Sequence, residues 1–492
     1  MKILLVQSNY MISRKSGAWL INPPIGLAYI AAVLEERGFK PEILDANVKN
    51  WSPQQVADYA KDYDIVGVSI LTPAERWATD VARLLPEKTL KVAGGPHTTG
   101  YPEDLLKKGF DISVIGEGEY TFLEIAEGKD LSKIEGICYN DNDNIITNPL
   151  RKPIDPNELP LPSRHLLINN GVDLPYISAG TKYRPWSPIF TSRGCPFDCN
   201  YCMKKVFGYQ FRPRTPENVM KEIRFLVNEL KIKELAIYDD TFNFDLDRAE
   251  KILDIIIAEN IKVHIRFTNG IRADKINENF LMKLKKVGCN YVAYGIESGN
   301  QEVLNKIPKC ITLDQIREAV KLTKKAGIPV SGFFMFGLFG DTKETMQQTI
   351  NFSKELDLDM AAWNLATPYP GTKMFEEIKK NGKFLFDLND WHNIQHTSGR
   401  MMFTHPDVAP PKEVEDAYAK AYKEFYLRPR YIIKQIIKIR SWTQFVGTLK
   451  GVVAIMKAIF RRQPDVQRNF IDKNIESVKI NESVKINESV IS

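Results

Sequence analysis

The feature that most constrains the fold of this chain is a repeated alternation of short apolar stretches with longer stretches of helical period. Buried strands are predicted at Lys2–Gln7, Asp64–Leu71 and Leu90–His97, and helices such as Pro23–Arg37 follow them over short links. Strands joined in this way form a parallel sheet with helices on both faces. A second run of the same alternation begins at Ser187. The sequence therefore predicts an α/β protein built from two such units.

The second run opens with three closely spaced cysteines. The stretch from Thr191 to Cys202 reads TSRGCPFDCNYC, and Cys195, Cys199 and Cys202 fall within eight residues of it. Three thiolates leave one iron of a four-iron cluster open to another ligand, because such a cluster normally takes four cysteines. Structural zinc sites usually need four protein ligands in spaced pairs. We therefore predict a four-iron cluster. The alternatives are a structural zinc loop or three unrelated buried cysteines.

The CxxxCxxC spacing, the aromatic Tyr201 before the last cysteine and the preceding SRG resemble the signature of radical S-adenosylmethionine (SAM) enzymes. The resemblance covers about residues 186–400. It implies that the open iron binds the amino and carboxylate groups of SAM. It further implies that the reduced cluster cleaves SAM to a 5′-deoxyadenosyl radical, with a reductase, ferredoxin or flavodoxin as electron donor.

The same resemblance implies a set of SAM contacts at the carboxyl ends of the barrel strands, where barrel enzymes place their active sites. Tyr201 would contact the adenine, Asp239 and Asp240 the methionine amino group, and Arg272 and Glu297 the ribose and carboxylate. Each residue could instead be a capping or salt-bridged residue. The two adjacent aspartates could also form an acid–base pair. Because neighbouring strand residues point to opposite faces, at most one aspartate faces the barrel.

Glycine-rich turns end the strands of the first unit, and ligands of doubly wound sheets bind beyond those ends. Paired glycines let a bulky ligand approach the backbone, although ordinary turns use glycine too. SIL, GGPH and GEGE, together with the PPIGLAYIAAVLEERG helix, resemble the cobalamin-binding domain that precedes some radical SAM domains. The resemblance implies cobalamin contacts at Ser69, Leu71, Thr72, Gly94, Gly95, His97, Gly116, Glu117 and Glu119.

The DxHxxG motif that supplies a histidine to cobalt in other cobalamin proteins is absent from Ser8–Trp19. The cobalt is therefore expected to lack a histidine ligand from the protein. His97 is interpreted as a contact to the nucleotide tail.

Composition and charge restrict the cellular setting. The net charge is only +6, which gives no indication of a nucleic-acid-binding protein. Six cysteines in 492 residues form no disulfide framework, and Cys138, Cys289 and Cys310 are expected to be small buried side chains. The sequence shows neither a signal peptide nor an apolar run long enough to span a membrane. A reducing, cytoplasmic location is expected.

The segment 412–462 differs from the rest of the chain. From Lys420 to Arg462, eleven lysines and arginines are interleaved with bulky apolar residues against one acidic residue, Glu424. Basic amphipathic helices of this kind bind anionic membrane surfaces, whereas a helical cap on the barrel is the alternative. Pro429 is expected to break the segment into two helices.

The chain is thus predicted to consist of five parts. They are a cobalamin-binding parallel-sheet domain (1–138), an extended linker (139–185), a partial (β/α)6 radical SAM barrel (186–405), a basic helical extension (406–465) and a loosely ordered repeat tail (466–492).

The layout resembles cobalamin-dependent radical SAM enzymes, in particular the group of lipid methylases and the anaerobic cyclase of bacteriochlorophyll synthesis. Methyl transfer from methylcobalamin to a substrate carbon radical is the favoured reaction. The substrate would be a lipid, a tetrapyrrole or another small molecule. An oxidative cyclisation using cobalamin is the first alternative. A non-catalytic corrinoid or iron–sulfur carrier is the second, and the six predicted barrel strands argue against it.

Overall fold

The computed structural model describes residues 1–10, 21–142, 144–167, 176, 178, 180–392, 394 and 399–438. Within them the chain forms two α/β units and a helical C-terminal segment. The predicted α/β architecture is confirmed.

The first unit is a seven-stranded sheet with the order β2-β1-β3-β4-β5-β6-β7. The strands are β1 (Ile3–Gln7), β2 (Pro41–Asp45), β3 (Ile65–Ser69), β4 (Leu90–Gly94), β5 (Ile112–Val114), β6 (Ile137–Asp141) and β7 (Asn144–Thr147). The first five strands are parallel. Alternate residues of β1 enter opposite cores: Ile3 and Leu5 pack on one side, Leu4 and Val6 on the other.

Helices cover both faces of this sheet. They span Ile25–Glu36, Ala46–Lys49, Pro53–Ala60, Glu75–Leu84, Pro96–Gly100, Pro102–Leu106 and Glu119–Ala126, with short 3₁₀ turns at Thr72–Ala74, Leu131–Lys133 and Arg164–Leu167. The helix Glu119–Ala126 was not predicted, because the GEGE stretch before it has the composition of a loop.

The predicted linker differs from the structure in its first residues. Strand β6 pairs antiparallel with β5, and β7 pairs antiparallel with β6, so 137–147 is a hairpin that extends the sheet. Asn140, Asp141 and Asn144 lie in the paired strands of this hairpin, and Asn142 follows β6 with a left-handed φ of 47°.

The second unit contains six consecutive parallel strands that form a partial barrel. They are β8 (Trp186–Ile189), β11 (Glu234–Ile237), β12 (His264–Phe267), β13 (Val292–Glu297), β14 (Val330–Phe336) and β15 (Met360–Leu365); a two-residue ribbon, β9 (Ser192–Arg193) with β10 (Arg212–Pro213), lies between the first two. The order is β8-β11-β12 and β13-β14-β15, and a single bridge between Ile271 and Tyr294 joins the two halves.

The barrel helices alternate with these strands, as predicted. They span Pro216–Asn228, Leu246–Ala258, Glu278–Lys286, Gln301–Lys306, Leu313–Lys325, Lys343–Glu355 and Lys373–Asn381. Thr215 is the N-cap of the first of them, and its side chain accepts a hydrogen bond from the backbone N–H of Asn218. A small ribbon, β16 (Lys383–Phe384) with β17 (Phe403–Thr404), follows the last of them.

The C-terminal segment forms two helices, Pro411–Tyr426 and Pro429–Lys438, so the break predicted at Pro429 is confirmed. The first helix packs against the last barrel strand, β15, and the Tyr426 hydroxyl donates a hydrogen bond to the Ala361 carbonyl (2.7 Å). No helix in the described part of the chain is long and apolar enough to cross a membrane. The rest of the predicted basic extension, from residue 439, and the repeat tail lie outside the described residues.

Candidate functional site

The cysteine loop leaves the barrel at the carboxyl end of β8, and Asp239 fixes its start. The Asp239 carboxylate accepts hydrogen bonds from the Thr191 backbone N–H (2.6 Å) and from the Ser192 hydroxyl (2.7 Å). Asp239 is fully buried, and this burial raises its pKa. Arg248 donates to the Thr191 carbonyl and completes the anchor. Asp239 therefore holds the loop and does not face a ligand, which argues against its predicted contact with SAM.

Asp240, the next residue, contacts the same loop at Gly194. Its carboxylate is exposed and accepts a hydrogen bond from the backbone N–H of Gly194 (3.0 Å). Desolvation by the surrounding protein nevertheless raises the pKa of Asp240 to about 6. Gly194 has a left-handed φ of 81°, and a Cβ there would clash with the Gln210 carbonyl, so the loop requires glycine before Cys195.

The three predicted cluster ligands lie in one short turn and are free thiols. Cys195 and Cys199 are partly buried and Cys202 is exposed, with the Cys202 backbone N–H donating to the Cys199 carbonyl (3.1 Å). No three His, Cys, Asp or Glu side chains in the described ranges lie close enough to hold a single metal ion. An iron–sulfur cluster is wider than one ion, so its three ligands need not converge on a point. A set of three accessible thiols, with no fourth cysteine in the loop, fits such a cluster.

The other cysteines are separate from this loop. Cys138 and Cys289 are buried, as expected, and Cys138 contacts Thr147 in the β6–β7 hairpin. Cys310 is exposed, so the expectation that it is buried is wrong. Cys310 adopts a left-handed φ of 55°, and this turn brings the carbonyls of residues 309 and 310 to the guanidinium of Arg272.

The remaining predicted SAM contacts surround the cysteine loop. The Arg272 guanidinium lies over the Phe197 ring at 3.3 Å and is held by Asp274 (2.7 Å). The carboxylate of Glu297 pairs with Lys309. Burial and, after it, the negative charge of Glu297 raise the pKa of Tyr201. The fold thus brings Tyr201, Asp240, Arg272 and Glu297 to one side of the barrel around the cysteines.

A cavity of about 200 Å³ opens at the carboxyl ends of the strands of the first unit. Apolar side chains, among them Leu5, Ile30 and Phe122, form its floor. The volume accommodates only part of a cobalamin molecule, so the rest must lie outside it. Six of the nine predicted cobalamin contacts line the cavity: Ser69, Gly94, Gly95, Gly116, Glu117 and Glu119.

Leu71, Thr72 and His97 do not line this cavity. His97 is completely buried, with Nε2 at 3.1 Å from an Asp104 carboxylate oxygen and Nδ1 at 3.4 Å from the Thr72 hydroxyl. Its ring also packs edge-on against Trp391. Because both nitrogens are engaged within the protein, the structure argues against the predicted contact between His97 and a nucleotide tail.

Two glycines leave room for a ligand in the cavity, and a third serves the turn. A Cβ at Gly94 or at Gly26 would meet no atom within 4 Å, although both residues line the cavity. A Cβ at Gly95 would instead meet the Ile70 backbone nitrogen at 2.9 Å, and Gly95 has a left-handed φ of 98°. Gly94 and Gly26 therefore form a cradle that larger residues would fill, which fits close approach of a bulky cofactor.

A buried ionic network joins the cavity to the cysteine loop. The Arg193 guanidinium contacts Glu117 (2.6 Å) and Glu119 (2.7 Å), and Arg212 also contacts Glu117 (2.9 Å). Phe207, five residues after Cys202, lies under the Arg193 guanidinium and lines the cavity. Sequence reasoning missed Arg193 as a functional residue. Its only signal was its place in the SRG stretch, which cannot reveal a partner 76 residues earlier.

Comparison with known proteins agrees with this architecture. Residues 20–126 match the B12 binding domain model, and residues 189–353 match the Radical SAM superfamily model. An uncharacterized methyltransferase of Pyrococcus horikoshii is 35% identical over 451 residues, 89% of this chain and 95% of that protein. The anaerobic magnesium-protoporphyrin IX monomethyl ester cyclase of Rubrivivax gelatinosus is 26% identical over 94% of this chain and 84% of that protein.

Among solved structures, the radical SAM methyltransferase TsrM of Kitasatospora setae shares the fold, with a TM-score of 0.67. The two chains are 17% identical, over 93% of this chain and 99% of that one.

A parallel-sheet domain with a ligand cavity, joined to a partial barrel with a three-cysteine loop, defines a radical enzyme that carries two cofactor sites. The chain belongs to the cobalamin-dependent radical SAM methyltransferase family. Its cofactors are a [4Fe-4S] cluster, SAM and cobalamin. It is therefore an enzyme and not a carrier.

The cluster ligands can be tested one by one. Replacement of Cys195, Cys199 or Cys202 by alanine is expected to abolish the brown chromophore and SAM cleavage, because three ligands are the minimum. Iron and sulfide analysis after anaerobic reconstitution provides the measurement. Cys310→Ala is the matched control, since Cys310 is also exposed, and loss of iron in that variant would contradict the assignment.

The cobalamin cavity can be tested at Gly94. Gly94→Leu is expected to reduce bound corrinoid at least tenfold, because the new side chain meets no protein atom and enters the cavity. Iron content should not change. Corrinoid is measured by absorbance after reconstitution, with the exposed Lys88→Leu as the control. Full corrinoid content in Gly94→Leu would place the cofactor elsewhere.

Proposed function

We propose that this enzyme transfers a methyl group to an unactivated carbon of a small-molecule substrate. The observation that supports this proposal most directly is the continuity of the two cofactor sites. Val206 and Phe207 line the cobalamin cavity, and both lie within five residues of Cys202. A substrate held at this junction would be within reach of both cofactors.

When bound, the cluster with SAM supplies a carbon-centred radical, and cobalamin supplies the methyl group. The protein's own residues bind and orient. Asp240 is the exposed carboxylate at the loop and suits the methionine amino group of SAM, and Arg272 and Glu297 suit its polar periphery. The apolar floor of the cavity, with Leu5 and Phe122, excludes water from that side.

The substrate class is inferred from the relatives and from the site. Related proteins include the cyclase that acts on a tetrapyrrole ester and bacteriochlorophyllide methyltransferases. A largely apolar substrate, such as a tetrapyrrole or a lipid, is consistent with the apolar lining. The cluster needs one electron for SAM cleavage, and a ferredoxin, flavodoxin or reductase is the proposed donor.

Oxidative cyclisation is the second candidate function. The similarity to the magnesium-protoporphyrin cyclases of two bacteria favours it, at 26% and 24% identity. The higher identity to a methyltransferase, 35%, favours methyl transfer.

Products distinguish the two reactions. The reconstituted enzyme is incubated anaerobically with SAM, cobalamin and a reductant, with the small-molecule extract of the source cells as substrate. Methyl transfer is expected to give 5′-deoxyadenosine together with S-adenosylhomocysteine, and label from methyl-deuterated SAM should enter a new product. The Cys199→Ala variant is the control and should form no 5′-deoxyadenosine. Turnover of magnesium-protoporphyrin monomethyl ester without S-adenosylhomocysteine would instead identify a cyclase.

Peripheral contact with an anionic membrane is a further part of the proposal. The helix Pro429–Lys438 exposes an apolar stripe, with Ile432, Ile433, Ile436 and Ile437 between 42% and 74% exposed. Its opposite side is held against the barrel, where the Tyr431 hydroxyl donates to the Asp359 carbonyl (3.0 Å). The positive excess of 420–462 matches an anionic lipid surface. Such a contact would suit a substrate delivered from the membrane.

Vesicle co-sedimentation tests this contact. The protein is expected to bind phosphatidylglycerol-containing vesicles at low salt and to be released at high salt. Ile433→Glu with Ile437→Glu should reduce binding several-fold, because charges on the stripe oppose insertion. Met282→Glu, at a similarly exposed apolar residue of the barrel, is the control. Unchanged binding in the double variant, or no binding at low salt, would indicate that the helix is only a cap.

A further inference from the structure

Lys204 is a buried cation beside the cluster loop with no hydrogen-bond acceptor. It follows Cys202 by two residues, and its side chain is only 8% exposed. Its Nζ atom is buried and makes no hydrogen bond within the described part of the chain. The centroid of the Tyr209 ring lies 5.2 Å from Nζ.

An ammonium in this state is unfavourable unless negative charge lies nearby. Taking a charge out of water carries a large desolvation cost, which a single aromatic ring offsets only in part. The buried guanidinium of Arg193, by contrast, has carboxylate partners in Glu117 and Glu119. Lys204 has no carboxylate within salt-bridge distance among the described residues, so its partner must be of another kind.

Lys204 belongs to the same loop as the three cysteines. The Lys204 carbonyl accepts a hydrogen bond from the Gly208 backbone N–H (2.7 Å), and the Gly208 carbonyl accepts one from the Cys195 backbone N–H (3.4 Å), so the loop folds back on its first cysteine. As iron ligands the three cysteines are thiolates, so the loop with its cluster carries net negative charge. Reduction of the cluster adds one more negative charge at the same place.

We propose that Lys204 is the charge partner of the iron–sulfur cluster and that its ammonium favours the reduced cluster. Net charge close to a cluster is one of the main determinants of its reduction potential. Lys204 would thus make the electron needed for SAM cleavage easier to acquire. The proposal depends on the cluster alone and holds whether the reaction is methyl transfer or cyclisation.

A different role is conceivable for the same ammonium, namely pairing with the carboxylate of SAM. The two roles differ in what they require. A partner of the cluster acts before SAM is present, whereas a partner of the SAM carboxylate changes SAM affinity and leaves the potential of the SAM-free cluster unaltered.

The decisive measurement is a redox titration of the SAM-free cluster, followed by electron paramagnetic resonance in the reconstituted full-length protein. Lys204→Met removes the charge with little change of shape and is expected to lower the midpoint potential. Lys204→Arg should restore it towards the parent value. The matched control is Lys205→Met, which removes the same charge from the exposed neighbouring residue and should leave the potential unchanged.

An unchanged midpoint potential in Lys204→Met would overturn the proposal, and weakened SAM binding in the same variant would assign Lys204 to the SAM carboxylate. If that variant assembles no cluster, thermal unfolding of the cluster-free proteins decides. Without the cluster the ammonium lacks its partner, so Lys204→Met should unfold at the same or a higher temperature than the parent. A clear decrease would show a purely structural role and overturn the proposal.

Discussion

The ion pairs of Arg193 with Glu117 and Glu119 hold the two cofactor sites in one arrangement. All three side chains are buried, and Glu117 also accepts a hydrogen bond from the Ile154 backbone N–H (3.0 Å). Removing one partner of such a group leaves a buried charge uncompensated, which costs about 3–5 kcal/mol. Because the glutamates border the cavity of the first unit and Arg193 directly precedes the cysteine loop, the network fixes the position of the loop relative to the cavity.

Close backbone contact and aromatic packing also join the first unit to the second at another place. A Cβ at Gly100 would clash with the Pro370 carbonyl, so only glycine permits the approach of these two loops. The fully buried Trp391 packs against His97 and Tyr101 of the first unit. His97 thus has a structural role, because its imidazole is held by Asp104 and packs edge-on against the indole ring of Trp391.

Much of this architecture follows from local sequence patterns, and the rest depends on contacts that no local pattern contains. Periodicity predicted the alternation of strands and helices, and Pro429 marked a break between two helices correctly. The hairpin at 137–147 was missed because its polar composition suits both a turn and a linker. The GEGE stretch was assigned to cofactor binding, but its glutamates contact arginines of the other unit as well, which only the folded chain reveals.

The adjacent residues Asp239 and Asp240 show what strand geometry can and cannot predict. Alternation along a strand predicts that Asp239 and Asp240 point to opposite sides, but β11 ends at Ile237 and both aspartates lie in the loop after it. Strand geometry cannot tell which one faces the ligand, because that depends on what Thr191 and Ser192 donate to. Both carboxylates contact the cysteine loop, Asp239 at Thr191 and Ser192 and Asp240 at Gly194, and of the two only Asp240 is exposed. Asp239 and Asp240 therefore act on different residues of the cysteine loop. A substitution of Asp239 would disturb Thr191 and Ser192, and a substitution of Asp240 would disturb Gly194.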